Sequence, residues 1–126
     1  MAARLQRKVL HVEDDPGVQA LVRATLTRDG GYEVHTAGNG ARAIELAVLR
    51  SPDLVLLDLD LPDINGEQVL AALRASAATR DIPVVVISGD TDPALHRRVL
   101  AGGAGFFLVK PYAITDLLGA VDGSLG

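Results

Sequence analysis

The residues best suited to chemistry in this chain follow a series of short apolar segments. Glu13 and Asp14 come after the first segment, Asp58 closes a central one, Ser88 closes the next, and Lys110 follows the last. Three carboxylates held close together repel one another unless a cation lies among them, and oxygen ligands without His or Cys favour Mg²⁺. A lysine ammonium and a serine hydroxyl would then hold phosphoryl oxygens. The set predicts phosphoryl transfer involving a nucleophilic carboxylate, a reaction that needs little beyond alignment and charge neutralisation.

These residues can meet only if the apolar segments are strands of one parallel sheet. Amphipathic stretches with helix-capping residues separate the segments, which predicts five strands alternating with five helices. A run that is apolar at every position, as at 54–57, is typical of a strand buried on both faces. The carboxyl ends of parallel strands meet at one sheet edge, so the acids, the hydroxyl and the lysine should share a crevice. The predicted strands are 8–12, 32–37, 54–58, 83–88 and 106–109.

Length and composition bound the class of protein. The 126 residues suffice to bury one core, and the absence of cysteine excludes disulfides and thiolate sites while being compatible with a reducing cytoplasm. A net charge of -4 and 3% aromatic residues argue against direct nucleic-acid binding. No apolar run approaches the roughly 20 residues of a membrane span. We expect a single cytoplasmic domain over 1–126, with flexible ends at 1–7 and 123–126, that binds neither nucleic acid nor membrane.

Each candidate also has a plainer interpretation. Asp15, the third acid after the first strand, is better explained as a helix cap. His11 lies inside a predicted buried strand, where we expect a core residue with its hydrogen bonds satisfied rather than a ligand. Ser88 alone would be a turn residue, and Lys110 alone a solvated surface lysine. Their joint occurrence with the acids is what predicts a site.

Four blocks of sequence carry a resemblance to a known family. They are VLHVEDDP at 9–16, PDLVLLDLDLPDING at 52–66, VVVISG at 84–89 and GAGFFLVKPY at 103–112. In order and spacing they resemble the receiver domain of bacterial two-component response regulators over nearly the whole chain. The resemblance implies a flavodoxin-like (βα)5 three-layer sandwich whose parallel five-stranded sheet has the order 2-1-3-4-5. It also implies a phosphorelay in which Asp58 accepts a phosphoryl group from a histidine kinase or a His-containing phosphotransfer protein.

The resemblance implies which residues would hold the metal. Glu13 and Asp14 match the Mg²⁺ acids of the family, and Asp58 matches both the phosphoacceptor and a metal ligand. The backbone carbonyl of Asp60 would be a further ligand. A domain of this kind catalyses only its own phosphorylation and dephosphorylation, so we do not expect an enzyme in the usual sense.

The resemblance also implies a switch. Ser88 matches the hydroxyl that turns toward the phosphoryl group, and Lys110 matches the counter-ion of that group. Phe107 falls at the aromatic switch position, where ordinary core packing is the plainer interpretation. Pro111 matches the proline that in this family usually follows a cis peptide bond.

Two acids depart from the common family pattern. Asp60, two residues after the acceptor, stands where an uncharged residue is frequent, and Asp90 stands two residues after the switch hydroxyl. Both border the predicted phosphoryl site. We expect their negative charge to alter the rate of self-dephosphorylation, by repelling or by orienting the attacking water.

The surfaces for partners are less clearly marked. The family's usual output face is formed by the fourth helix, fifth strand and fifth helix, and dimerisation on phosphorylation is compatible with it, although a solvated face is the plainer interpretation. Leu21 on the first helix has the spacing of a core residue, and we expect it there rather than on a docking surface for the phosphodonor. The output face would include His96, Arg97, Arg98, Phe106 and Asp116.

Two other functions stay open. Asp58 and Asp60, followed by a strand that ends at Ser88, also resemble the first two motifs of haloacid-dehalogenase-type phosphatases, in which the first Asp is a nucleophile and the second an acid/base. Against this, the acid pair at 13–14 precedes the nucleophile, and no cap segment encloses a substrate. The other alternative is a receiver-shaped binding module that takes no phosphate, although every residue needed for phosphorylation is present.

Overall fold

Five strands alternate with five helices in the computed structural model of the protein, which describes residues 6–126. The strands are β1 (Lys8–Val12), β2 (Glu33–Ala37), β3 (Leu54–Asp58), β4 (Val84–Ser88) and β5 (Phe106–Val109). The helices are α1 (Pro16–Arg28), α2 (Gly40–Arg50), α3 (Gly66–Ala75), α4 (Pro93–Ala101) and α5 (Ile114–Leu125). The predicted alternation is confirmed, and β2 and β4 begin one residue later than predicted.

All strand pairs in the sheet are parallel, and the strand order is β2-β1-β3-β4-β5. The predicted flavodoxin-like fold is therefore confirmed. In the register of the sheet, Asp58 lies opposite Ile87, and Ser88 lies opposite Val109. The carboxyl ends of the three strands β3, β4 and β5 thus meet at one edge, as a parallel sheet requires.

Helices cover both faces of the sheet, and each face has its own apolar cluster. Helices α2, α3 and α4 pack on one face, while α1 and α5 pack on the other. Alternate residues of β3 point into the two clusters: Leu54 and Leu56 into one, Val55 and Leu57 into the other. This double coverage explains why β3 is apolar at every position before its final carboxylate.

The start of α1 follows the capping rules, but its inward face differs from expectation. The Asp15 carboxylate accepts hydrogen bonds from the N–H groups of Gly17 and Val18, so the capping interpretation is confirmed. The expectation of a buried Leu21 is wrong, because its side chain is 59% exposed. Leu21 stands at the margin of the apolar stripe, whose centre on the sheet is formed by Val22 and Leu26.

The turn between β3 and α3 requires a glycine. A Cβ atom on Gly66 would lie 2.5 Å from the Leu59 Cα atom and 3.0 Å from the Asp58 carbonyl oxygen. Gly66 therefore lets α3 begin directly against the end of β3, which keeps the loop after Asp58 short and close to the sheet.

The structure describes only part of the two chain ends predicted to be flexible. Residues 1–5 of the predicted N-terminal segment lie outside the described residues, and Arg7 donates a hydrogen bond to the Leu125 carbonyl at 2.6 Å. Residues 123–125 belong to α5, and their flexibility stays a prediction. Within residues 6–126, every helix is too short or too polar to cross a membrane.

Candidate functional site

Asp58 is the centre of the site. Its side chain is 2% exposed, and the last position of β3 delivers it to the edge where three strands end. The Lys110 ammonium donates to Asp58 Oδ2 at 2.6 Å, and the Asp60 N–H donates to Oδ1 at 2.7 Å. Burial opposes the charge on Lys110, yet the hydrogen bond and charge of Asp58 raise the pKa of Lys110 above its ordinary value. One cation and one backbone donor thus compensate for the burial of this carboxylate and fix its orientation.

Glu13 stands beside this carboxylate at the end of β1. Its side chain is buried, and burial is the main reason why its pKa rises to about 7, with the neighbouring Asp58 and Asp14 adding to the rise. The Asp15 N–H donates to Glu13 Oε2 at 3.2 Å and opposes the rise. Asp14 itself is exposed on the rim of the crevice. The structure therefore brings Glu13 and Asp58 together and leaves Asp14 at the entrance.

The donor set suits a hard divalent cation, but the arrangement is not a preformed metal centre. Burial is the main cause of the raised Glu13 pKa and the neighbouring carboxylates add to it, so a cation among them would relieve that part of the rise. Among residues 6–126, no three acidic or histidine side chains converge closely enough to hold a metal by themselves. In this arrangement the Lys110 ammonium is the cation that Asp58 meets.

Ser88 is connected to the start of α4 by a chain of short hydrogen bonds. The buried Ser88 hydroxyl oxygen accepts from the Asp90 N–H at 3.0 Å. The Asp90 carboxylate in turn accepts from the Asp92 N–H at 2.9 Å, and the Asp92 carboxylate caps α4 by accepting from the Ala94 N–H at 2.9 Å. Asp90 is exposed, and one of its oxygens is engaged within its own loop.

Phe107 and Pro111 lie on either side of Lys110 in the β5 region. The peptide bond between Lys110 and Pro111 is cis. The Phe107 ring is 8% exposed and belongs to the apolar cluster that contains α4. Its ring centroid lies 4.4 Å from that of His96, with the two planes tilted by 31°. The sequence placed His96 only on a general output face; its contact with the switch candidate has no signal in the sequence.

His11 differs from expectation. It is fully buried in β1, as predicted, but neither ring nitrogen has a hydrogen-bond partner within the described part of the chain, so the expectation of a satisfied core histidine is wrong. Burial lowers the pKa of His11 to about 4, although the negative charge of Asp58 acts in the opposite direction. The imidazole is therefore neutral near pH 7, next to the acceptor carboxylate.

Gln19 is a contributor that the sequence did not reveal. Its side-chain amide on α1 donates to the Glu13 carbonyl oxygen, and the Glu13 N–H donates to the Ala37 carbonyl at 2.9 Å. These contacts anchor the acidic turn to α1 and β2. Gln19 lies one helical turn after Asp15. The helix start predicted at Asp15 is therefore the only sequence feature that indicates where the Gln19 side chain lies.

Comparisons with known proteins agree with this geometry. The model of the response regulator receiver domain family matches residues 9–122. The transcriptional regulatory protein PdtaR of Mycobacterium tuberculosis (strain CDC 1551 / Oshkosh) is 39% identical over 124 residues, covering 95% of this chain. That match covers 57% of PdtaR, so the chain spans little more than half the length of this relative.

Solved structures give the same result. The chemotaxis protein CheY4 of Vibrio cholerae superposes with a TM-score of 0.88 at 30% identity, covering 95% of this chain and 99% of that one. The receiver domain of a sensor histidine kinase from Pseudomonas aeruginosa PAO1, with a magnesium ion coordinated in its active-site cleft, gives a TM-score of 0.87 at 26% identity, with coverage of 97% and 99%. The chain belongs to the family of response regulator receiver domains.

Proposed function

We propose that the protein is the phosphoacceptor of a two-component phosphorelay, with Asp58 as the residue that is phosphorylated. The observation that carries this proposal is the environment of Asp58: a buried carboxylate at a strand end, with the Lys110 ammonium at 2.6 Å and the Asp60 N–H at 2.7 Å. Such a carboxylate is oriented by two donors, paired with a cation and shielded from bulk water. These are the properties that a carboxylate nucleophile needs.

The proposed transfer takes the phosphoryl group from a phosphohistidine. A carboxylate oxygen of Asp58 forms a P–O bond while the P–N bond to the donor imidazole breaks, and the imidazole keeps the electron pair. Lys110 then pairs with a phosphoryl oxygen instead of the carboxylate, since its long side chain is anchored at the same edge of the sheet. The Ser88 hydroxyl, which uses only its acceptor capacity toward Asp90, has its proton available for another phosphoryl oxygen.

The proposal includes Mg²⁺ as the cofactor. Glu13, Asp14, Asp58 and the Asp60 carbonyl would hold it, and when bound it would neutralise charge on the phosphoryl oxygens. The crowded carboxylates described above support this ligand set. The magnesium ion in the related kinase receiver domain supports the choice of metal.

The partners belong to the same proposal. A histidine kinase or a His-containing phosphotransfer protein would supply the phosphoryl group, and the face formed by α4, β5 and α5 would change shape on phosphorylation and could pair two copies of the chain. A reducing cytoplasm suits the cysteine-free chain. We do not propose turnover of a separate substrate, because no residue beyond the phosphoryl site is needed for the exchange.

The test is the intact mass of the protein after incubation with acetyl phosphate and Mg²⁺. We expect one phosphoryl adduct in the wild type and none in Asp58→Asn or in a sample with chelator. Asp60→Asn is the matched control, because it removes a nearby carboxylate that accepts no hydrogen bond in the described structure and should keep the adduct.

Other outcomes would favour the alternatives. Steady release of phosphate with no adduct, lost in Asp60→Asn, would point to a haloacid-dehalogenase-type phosphatase. No adduct in any sample, with a histidine kinase tested as donor as well, would point to a binding module that takes no phosphate.

A further inference from the structure

The His96 ring covers the switch candidate on β5. Its centroid lies 4.4 Å from the Phe107 centroid at an angle of 31°, which is within the range of attractive aromatic contacts. His96 itself is exposed on α4, whereas Phe107 is only 8% exposed. The imidazole therefore stands between the Phe107 ring and solvent.

Few side chains hold helix α4 against the rest of the protein, so the contact between His96 and Phe107 matters for the position of the helix. Only Leu95 and Val99 of α4 are buried. On its α3 side, the helix is held by the exposed Arg98 guanidinium, whose Nη2 lies 3.0 Å from the Glu67 carboxylate. Exposed ion pairs contribute little. The stacking of His96 on Phe107 therefore adds to the packing of Leu95 and Val99, which lie in the same apolar cluster as Phe107.

The contact belongs to the resting arrangement of the site. Lys110 donates to Asp58 at 2.6 Å and the Ser88 hydroxyl oxygen accepts from the Asp90 N–H at 3.0 Å, so both groups are engaged within the protein. If Phe107 turns when Ser88 moves toward a phosphoryl group, a ring at 4.4 Å cannot stay stacked on it unless α4 moves too.

We propose that His96 is a positioning residue of the switch, which holds the Phe107 ring in its resting place by stacking on it. The inference rests on the proposed function, because it assigns His96 a part in the response to phosphorylation of Asp58. Removing the stack should favour the switched state, and a protein that occupies that state more often should accept a phosphoryl group more readily.

The composition of the chain allows a direct test. Phe106 and Phe107 are the only two phenylalanines, so the protein labelled with fluorophenylalanine gives two ¹⁹F NMR signals, which Phe106→Leu assigns. In unphosphorylated His96→Ala we expect the Phe107 signal to move and the Phe106 signal to stay. His96→Tyr restores an aromatic stack without adding a fluorine signal and should return the Phe107 signal toward its original environment.

The second measurement is the rate of phosphorylation by acetyl phosphate. An aromatic pair of this kind contributes enough to change that rate by about two- to tenfold, so His96→Ala should be faster by that factor and His96→Tyr should not. Arg97→Ala is the matched control, since it changes the next exposed residue of α4 and should alter neither the rate nor the Phe107 signal.

Two results would overturn the proposal: an unchanged Phe107 signal in His96→Ala, or a His96→Tyr variant that behaves like His96→Ala in both measurements. If the wild type gains no adduct, the proposed function fails. The fluorine signal, which needs no phosphorylation, still decides whether His96 positions the ring.

Discussion

The Lys110 ammonium lies 2.6 Å from the Asp58 carboxylate and forms an ion pair with it. The lysine side chain is 36% exposed, whereas the aspartate side chain is 2% exposed. The buried carboxylate therefore depends on a partly solvated lysine as its counter-ion. Removing the lysine would leave a buried negative charge next to Glu13.

Lys110→Ala is therefore expected to destabilise the metal-free protein. Breaking a buried pair costs several kcal/mol, and the solvation of Lys110 reduces this to about 1–3 kcal/mol. Urea unfolding in chelator at neutral pH measures the loss. In the Asp58→Asn background, the same substitution should cost less than half as much. Lys8→Ala, which removes the only other lysine, serves as control. An equal loss in both backgrounds would mean that the pair does not carry the effect.

Asp60 and Asp90, the two acids that differ from the common family pattern, are predicted to alter the lifetime of the phosphorylated protein. The Asp60 side chain is exposed beside the acceptor, while one Asp90 oxygen is engaged by the Asp92 N–H. We therefore expect Asp60→Met to change the rate of self-dephosphorylation by about two- to tenfold, as one nearby charge can, and Asp90→Ala to change it less. Loss of the phosphoryl adduct over time gives both rates. Identical lifetimes in all three proteins would remove this role for the acids.

His11→Val is predicted to stabilise the protein near pH 7.5. Two buried ring nitrogens that have no hydrogen-bond partner among the described residues cost free energy, and a valine suits the strand. We therefore expect a gain of about 1–3 kcal/mol in the free energy of unfolding. The measurement is urea unfolding of both proteins in chelator.

The pH dependence of that gain has a definite sign. Burial lowers the His11 pKa from 6.5 to about 4, so between these values the unfolded chain binds a proton that the folded chain does not. The wild type should lose stability through this group as the pH falls from about 6.5 toward 4, and His11→Val should not. The difference between the two proteins should therefore widen in acid. A difference that stays constant from pH 7.5 to pH 5 would contradict the neutral buried imidazole.

Glycine-to-alanine substitutions at two sites should have opposite effects. At Gly66 the new Cβ would lie 2.5 Å from the Leu59 Cα atom, and such overpacking against backbone costs about 1–3 kcal/mol. At Gly119, within α5, a Cβ meets no atom within 4 Å, and alanine should add about 0.5–1 kcal/mol through helix propensity. Unfolding free energies of the two variants, measured under the same conditions, test the turn after Asp58. A neutral Gly66→Ala would show that this turn has room to shift.

Local patterns were informative where one physical cause dominates. The apolar strand cores could be predicted because a strand covered on both faces has no polar position, and the Asp15 cap because the first N–H groups of a helix need an acceptor. Leu21 could not be predicted in this way. Its position in the helical repeat allows burial, but the sheet surface that α1 meets decides which side of the stripe faces inward.

The alternating elements, the acids, hydroxyl and lysine at the strand ends, and the phosphoryl chemistry that such groups favour all follow from residue type and spacing. Tertiary packing sets which of these groups meet: Lys110 with Asp58, Glu13 buried while Asp14 is exposed, and His96 stacked on Phe107. It also leaves the His11 ring without a hydrogen-bond partner among residues 6–126. The reason is that residue type and spacing act along the chain, whereas distances, burial and charge neighbours arise from packing between segments that are remote in sequence.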